Sequence, residues 1–197
     1  GGYFPNGNTK DFKLFELSWG TKSTANAAEK RLGDDKTIEN FFKNVNRVLA
    51  GQAADEIIYA VNISNAYNMS DYVAFSGGIA WATATLIAPE LSENPVIPVT
   101  YNEVLNLQQK IYKDYASLSD KNIVVSLDVD AEEKKLISSK VKIVNKVFDQ
   151  KAMLAGMGLL LNVMRQFEGV YEKKQFFLVK NGQVGWISAY VNQNSED

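Results

Sequence analysis

A glycine pair between an apolar strand and an apolar helix is the feature of this sequence best suited to chemistry. The segment 73–83 runs through Ser76, Gly77 and Gly78 into an alanine-rich stretch. Glycine has no Cβ, so this turn can adopt a positive φ and bring backbone N–H groups close to a ligand. The free amides and positive dipole end of the following helix favour an anion, with phosphate as the first candidate. A tight strand-to-helix turn also needs glycine when nothing binds, so a purely structural role fits equally well.

The residue types that the chain lacks limit its chemistry further. It contains no His and no Cys, which excludes a Ser-His-Asp triad, a Cys-His dyad, disulfides, and imidazole or thiolate metal sites. Chemistry must therefore rest on carboxylates, hydroxyls, lysines or backbone amides. The absence of Cys is typical of a reducing compartment, and we expect a cytoplasmic location.

Length, charge and hydropathy define the broad class. The 197 residues are 46% hydrophobic and 22% charged, and they show no repeat or linker, which predicts a single domain over residues 1–197. The formal charge of −2 argues against nucleic acid as a partner. Neither a signal peptide nor a run of about 20 apolar residues is present, so no membrane partner is expected. The chain begins with Gly1 rather than Met, and we expect it to be part of a longer protein.

Strand patterns lie near both ends of the chain. Residues 1–4 and 12–19, joined by an Asn-Gly turn, predict a β-hairpin. Residues 175–179 and 184–191, with a second Asn-Gly turn between them, predict a closing hairpin. A further strand is predicted at 73–75, leading into the glycines.

Helical patterns fill the rest. Apolar spacing over 23–50, interrupted at Gly33, predicts two helices, and the β-branched run 57–63 fits either a strand or the end of a helix. After an irregular connection marked by prolines, capping patterns at Thr100 and Asp130 predict helices that extend to Tyr115 and Phe148. The apolar segment 152–167 predicts a buried helix. The prolines of the connection are Pro89, Pro95 and Pro98.

Several segments in this order match a known pattern. Glu-Leu-Ser-Trp-Gly-Thr-Lys at 16–22 is similar to a Ser-Leu-Pro-Leu-Gly segment after a strand, and Ser-Gly-Gly-Ile-Ala at 76–80 to a Thr-Gly-Gly-Thr-Ala turn. Residues 99–105 are similar to a Leu-Thr-x-Glu-x-Leu helix start. Residues 155–161 and 179–185 are similar to a Pro-Ala-Gly helix and a closing Gly-Leu-Arg-x-Gly strand. Together they resemble the second actin-like domain of the exopolyphosphatase and guanosine pentaphosphate phosphohydrolase family.

This resemblance implies an α/β fold of the actin-like ATPase (ribonuclease H-like) type, with a mixed five-stranded sheet flanked by helices. It implies a two-domain enzyme that hydrolyses terminal phosphoanhydride bonds of polyphosphate or guanosine pentaphosphate with Mg²⁺, in the cleft between the domains. Ser76, Gly77 and Gly78 would contact the phosphate, with Gly156 on the same face. The family's catalytic glutamate and two phosphate loops fall outside this chain, so we expect no catalytic residue or metal ligand here and no activity without the missing N-terminal domain. A homodimer is a further possibility.

The departures from the family leave two alternatives. Gln183 and Val184 stand where the family has Leu-Arg, which weakens the expected anion contact. One alternative is therefore a non-catalytic relative that binds guanosine tetraphosphate or a protein partner. The other is an unrelated α/β binding or assembly module, in which the glycines only form a turn. A fold without the five-stranded sheet would favour that last hypothesis.

Two clusters of charged residues can each be interpreted in two ways. Lys135, Lys142 and Lys146 share one helical face and could guide a polyanion, but a solvated helix face is the favoured interpretation. Other lysines lie near this face, and four carboxylates alternate before it in a pattern that could bind a cation, although helix capping accounts for them better. These residues are Lys134, Lys140, Lys151, Asp128, Asp130, Glu132 and Glu133.

Overall fold

The computed structural model describes residues 2–6, 9–13, 17–64, 71–91, 93–168 and 174–182. Within them the strands are β1 (Gly2–Asn6), β2 (Thr9–Lys13), β3 (Tyr72–Ser76), β4 (Val96–Val99) and β5 (Gln175–Val179). The α-helices are α1 (Thr21–Glu29), α2 (Ile38–Val48), α3 (Ala54–Ser64), α4 (Gly78–Ile87), α5 (Tyr101–Lys113), α6 (Asp120–Val125), α7 (Ala131–Val147) and α8 (Gln150–Phe167).

The first hairpin is confirmed, but its second strand, Thr9–Lys13, begins three residues before the predicted start at residue 12. β1 and β2 pair antiparallel with Asn6 opposite Thr9. The predicted extension of the strand to Trp19 is wrong, because residues 17–20 are irregular. Their backbone groups serve other partners: the Ser18 N–H donates to Glu56 Oε1 at 2.5 Å, and the Gly20 N–H donates to Ser23 Oγ at 2.8 Å. These amides, one bonded to α3 and one to the first turn of α1, are therefore not paired in a strand ladder.

The two helices predicted over 23–50 are confirmed as α1 and α2, and Gly33 in the break between them has a φ of +59°. The ambiguous run 57–63 is helical within α3, which continues from α2 through a wide π-turn at Leu49–Ala53. Ile57 and Val61 are buried in α3, while Tyr59 is 65% exposed. This four-residue spacing of buried positions belongs to a helix and not to a strand.

The sheet has the strand order β3-β5-β4. β3 runs parallel to β5, and β4 runs antiparallel to β5. Helices lie between these strands in the chain and pack on the sheet, so the α/β class with a mixed sheet flanked by helices is confirmed. The described strands form this three-stranded sheet and the separate β1–β2 hairpin, not one sheet of five strands.

Two strand predictions need correction. The proline-rich connection contains strand β4, which tolerates Pro98 because β4 lies at the edge of the sheet. β5 was expected to pair with residues 184–191, which lie outside the described residues. Both of its edges are instead occupied, by β3 and by β4.

The core is built around α8, whose buried character is confirmed. Met153, Leu154, Met157 and Met164 are almost fully buried, and α8 packs against α1, α2 and α5. Asp149 caps its start by accepting a 2.7 Å hydrogen bond from the Ala152 N–H. Among the described helices, none has the length and apolar character needed to cross a bilayer.

Candidate functional site

The predicted turn joins β3 to α4 through Gly77, which has a φ of +108° and a ψ of −178°. This backbone conformation favours glycine strongly, so the first glycine of the pair is required by the turn itself. Gly78 has no positive φ and opens α4. The backbone conformation of the turn therefore accounts for glycine at position 77 but not at position 78.

Gly77 is the N-cap of α4 and has no side chain to bond the first helical amides. Its carbonyl accepts from the Trp81 N–H at 2.9 Å, so the helix begins directly at the turn. Ser76 and Gly78 are exposed, and Gly77 is half-buried. The turn thus presents a helix N-terminus that can receive an anion at the carboxyl end of a parallel strand.

The end of β5 lies against this turn. A Cβ added at Gly182 would fall on the Ser76 side chain. The backbone of Gly182 therefore lies against the serine that precedes Gly77, although the sequence identified Asn181 and Gly182 only as a hairpin turn. The Asn-Gly dipeptide carries no signal for this contact, which arises from the parallel pairing of β3 and β5.

The Phe148 ring lies close to the second glycine. A Cβ on Gly78 would lie 3.1 Å from Phe148 Cζ. The Phe148 carbonyl accepts a 3.0 Å hydrogen bond from the Tyr115 hydroxyl, which holds the end of α7 in place. Gly78 thus allows the aromatic ring to lie against the first turn of α4.

Gly156 lies beneath the same turn. A Cβ there would lie 2.7 Å from Ile79 Cδ1 and 2.8 Å from Thr21 Oγ1. Gly156 is buried, so close packing of α8 against α1 and α4 is sufficient to account for glycine at this position. A ligand contact by Gly156 stays a prediction. Gly158 has a similar packing role, since its Cβ would lie 2.8 Å from Leu49 Cδ1.

Lys180 follows the end of β5, and Lys140 of α7 lies near enough to influence its charge. Lys180 Nζ donates to the Leu91 carbonyl at 2.7 Å, and Lys140 Nζ pairs with the Glu93 carboxylate. Burial lowers the pKa of Lys180, and the charge of Lys140 lowers it further. The hydrogen bond and ion pair with Lys140 hold the pKa of Glu93 below its usual value. Sequence reasoning missed Lys180, because a single lysine after a strand has no distinguishing pattern.

Some of the charged groups singled out in the sequence have structural roles. Asp130 caps α7 by accepting a 2.8 Å hydrogen bond from the Glu133 N–H. Lys142 lies 3.5 Å from Asp120, and Lys151 lies 3.0 Å from Glu29. The pKa of Asp120 is lowered, chiefly by a hydrogen bond from Ser138 and then by Lys142.

The Mg²⁺ that the resemblance implies has no matching donor set in the described residues. Magnesium prefers carboxylate oxygens, whereas the turn offers one hydroxyl and backbone groups. Within the described ranges, no group of three or more Asp and Glu side chains is arranged to hold a metal ion. We therefore assign no step in this chain to the metal.

A cavity among the described residues lies elsewhere. It measures about 950 Å³ and lies at the amino end of β5, lined by residues that include Tyr101, Glu168, Lys174 and Phe177. The Lys174 side chain is 2% exposed and lies 3.7 Å from Asp71. Since Gln175 pairs with Tyr72 at the start of β3, this cavity and the glycine turn are at opposite ends of the sheet.

Comparisons with known proteins add no relative to this picture. No family model, curated protein or solved structure matches the chain. Its function must therefore be inferred from its own residues and from the segments described above.

Proposed function

We propose that this chain is the C-terminal, actin-like domain of an exopolyphosphatase-like phosphohydrolase and binds the phosphate groups of polyphosphate or guanosine pentaphosphate at the turn Ser76–Gly78. The fold in this proposal is a divergent actin-like one, in which β3 and β5 form the parallel pair that supports the turn. Hydrolysis is assigned to the longer protein, with the base supplied by its N-terminal domain and Mg²⁺ acting in the cleft between the domains.

One observation carries the proposal: segments that resemble the family at separate places in the sequence meet at the turn. Gly182 in the closing segment contacts Ser76. Ile79 of the turn segment contacts Gly156 of the apolar helix, and Gly156 contacts Thr21 of the first segment. Residues 99–105 lie apart, at the start of α5. The other four segments meet at the turn. This supports the interpretation that they form one shared site, and argues against four unrelated resemblances.

The chemistry that these residues can perform is anion binding. The amides at the start of α4 point toward the turn and can donate to phosphate oxygens, and Ser76 adds a hydroxyl. Fixed donors of this kind stabilise charge on a phosphoryl group without reorganising. A carboxylate that orients water would have to come from the N-terminal domain, so we expect no turnover by residues 1–197 alone.

Binding of tripolyphosphate to this chain, measured by calorimetry, tests the site. Gly77→Ala forces alanine into a φ of +108° and should weaken binding at least about tenfold, by rotating the first amides of α4. Gly33→Ala is the matched control, because Gly33 also has a positive φ, at +59°, but lies between α1 and α2. Equal binding by both folded variants would contradict the proposed site.

Phosphate release tests the reaction. The longer protein and this chain would be assayed in parallel with polyphosphate and guanosine pentaphosphate in the presence of Mg²⁺. Release by the longer protein alone supports the assignment. If the longer protein is folded and binds these compounds but releases no phosphate, hydrolysis is contradicted. That result would favour the non-catalytic relative that binds guanosine tetraphosphate.

A second function, from another class, is favoured by the sheet. The described strands do not form one five-stranded sheet, which fits an α/β binding or assembly module unrelated to the family. In that case Ser76, Gly77 and Gly78 only form the turn. The absence of binding by every phosphate compound, in a protein of native stability, would support this alternative.

A further inference from the structure

A stripe of exposed apolar residues runs along α7. Leu136, Ile143 and Val147 are 40%, 50% and 59% exposed. The spacing of seven and four residues puts all three on one face of the helix. The buried face of α7 is a different one, formed by Ile137, Val141 and Val144. The helix therefore has an apolar face toward the core and a second apolar stripe toward solvent.

Charged residues of opposite sign lie beside the two ends of this stripe. Glu132 lies in the first turn of α7 and Lys146 in the last, both exposed and both on the same flank of the stripe. Ser139 is exposed halfway between them on that flank. Within the described residues neither Glu132 nor Lys146 has an ion-pair partner. Lys140 borders the other flank, where it pairs with Glu93 of its own chain.

This arrangement is complementary to itself. If a second α7 lies antiparallel along the stripe, its last turn meets the first turn of this one. Glu132 then faces Lys146 of the second copy, and Lys146 faces Glu132 of the second copy. Leu136 packs near Ile143 and Val147 of the second copy, while the small Ser139 lies at the crossing point. Flanking ion pairs of this kind set the orientation of paired helices.

We propose that α7 is a self-association surface, through which two copies of this chain pair antiparallel about Ser139. A two-fold axis makes every contact occur twice, as in most homodimers. Three partly exposed side chains are a small surface beside the roughly 800 Å² that each partner of a stable complex buries, so we expect a weak dimer. This inference is independent of phosphate binding, because α7 contributes none of the residues Ser76, Gly77 and Gly78.

Sedimentation equilibrium of the chain from about 10 μM to about 1 mM tests the proposal. The mass should rise toward that of a dimer. Ile143→Asp removes the centre of the stripe and should leave a monomer at every concentration. Tyr59→Ser, at an exposed position of α3, is the control and should dimerise like the native chain. A native chain that stays monomeric, or a dimer that Ile143→Asp does not affect, would overturn the proposal.

Charge reversal tests the arrangement. Glu132→Lys and Lys146→Glu each place like charges opposite one another twice, and each should weaken dimerisation about tenfold. The double variant Glu132→Lys/Lys146→Glu restores the opposite charges and should recover most of the loss, an effect that diminishes at high salt. Far-UV circular dichroism verifies the fold of each variant. A folded double variant weaker than both single variants would overturn the antiparallel pairing.

Discussion

Individual glycines in this protein have separate physical causes. Gly77 is favoured by its positive φ, Gly78 leaves room for the Phe148 ring, and Gly156 allows close packing of α8 against Ile79. Gly182 allows the chain after β5 to lie against the Ser76 side chain. The first cause is local and could be predicted from the sequence. The contacts of the other three glycines depend on residues distant in the chain, and no sequence pattern predicts these contacts.

Gly182→Ala tests the contact between β5 and the turn. The added Cβ would overlap the Ser76 side chain, so we expect a loss of about 1–3 kcal/mol in the free energy of unfolding. Ser76→Gly in the same chain should recover part of that loss, because it removes the atoms that the Cβ meets. The measurement is chemical denaturation of both single variants and the double variant. Gly51→Ala is the control, since no atom lies within 4 Å of its added Cβ. An additive double variant would contradict the contact.

Tyr115 gives a prediction at alkaline pH. Burial, and then the charge of Asp149, raise the pKa of its hydroxyl above the ordinary value of 10.0. A raised folded-state pKa stabilises the fold below pH 10, and this contribution is lost as the pH rises through the folded-state value. Tyr115→Phe also removes the hydrogen bond to the Phe148 carbonyl, costing about 1 kcal/mol at neutral pH.

The matching measurement is urea denaturation from about pH 8 to pH 11. The stability difference between native chain and Tyr115→Phe should shrink above pH 10. Tyr59→Phe, at a residue that is 65% exposed, controls for loss of a phenol. A difference that stays constant over the whole range would contradict the assignment.

At the scale of elements, capping and apolar spacing predicted the helices well. The caps at Thr100 and Asp130 are both present, with a 2.7 Å hydrogen bond from the Thr100 N–H to Glu103 Oε2. Strands were predicted less well, because pairing depends on remote segments. The prolines of the connection disfavour a strand where β4 lies. The Asn-Gly turn after β5 indicates a hairpin partner, whereas β5 pairs with β3 and β4.

The capping box of α5 can be tested directly. Thr100 Oγ1 accepts from the Glu103 N–H at 3.2 Å while Glu103 bonds back to the Thr100 backbone. Thr100→Ala should therefore lower the free energy of unfolding by about 1 kcal/mol. Thr100→Ser keeps the hydroxyl and should retain most of the stability. Equal midpoints of denaturation for the alanine variant and the native chain would show that the cap contributes nothing.

At the scale of the whole molecule, the sequence predicted the α/β class and the strand-to-helix turn but not the extent of the sheet. Residues 16–22, 76–80, 155–161 and 179–185 resemble one family, and described members of these segments contact one another at one end of the β3–β5 pair. The strands of the described chain nevertheless form a sheet of three and a separate hairpin. Ligand binding at the turn is therefore the claim on which the proposed function depends.

The most direct test is a tripolyphosphate titration of the ¹⁵N-labelled chain, followed by NMR. We predict that the amide signals of Gly78, Ile79 and Ala80 shift with a common saturation curve. Gly77→Ala should move this curve to a ligand concentration at least about tenfold higher, while Gly33→Ala leaves it unchanged. Unchanged signals at these three amides up to saturating ligand, or shifts confined to the cavity near Lys174, would contradict phosphate binding at the turn.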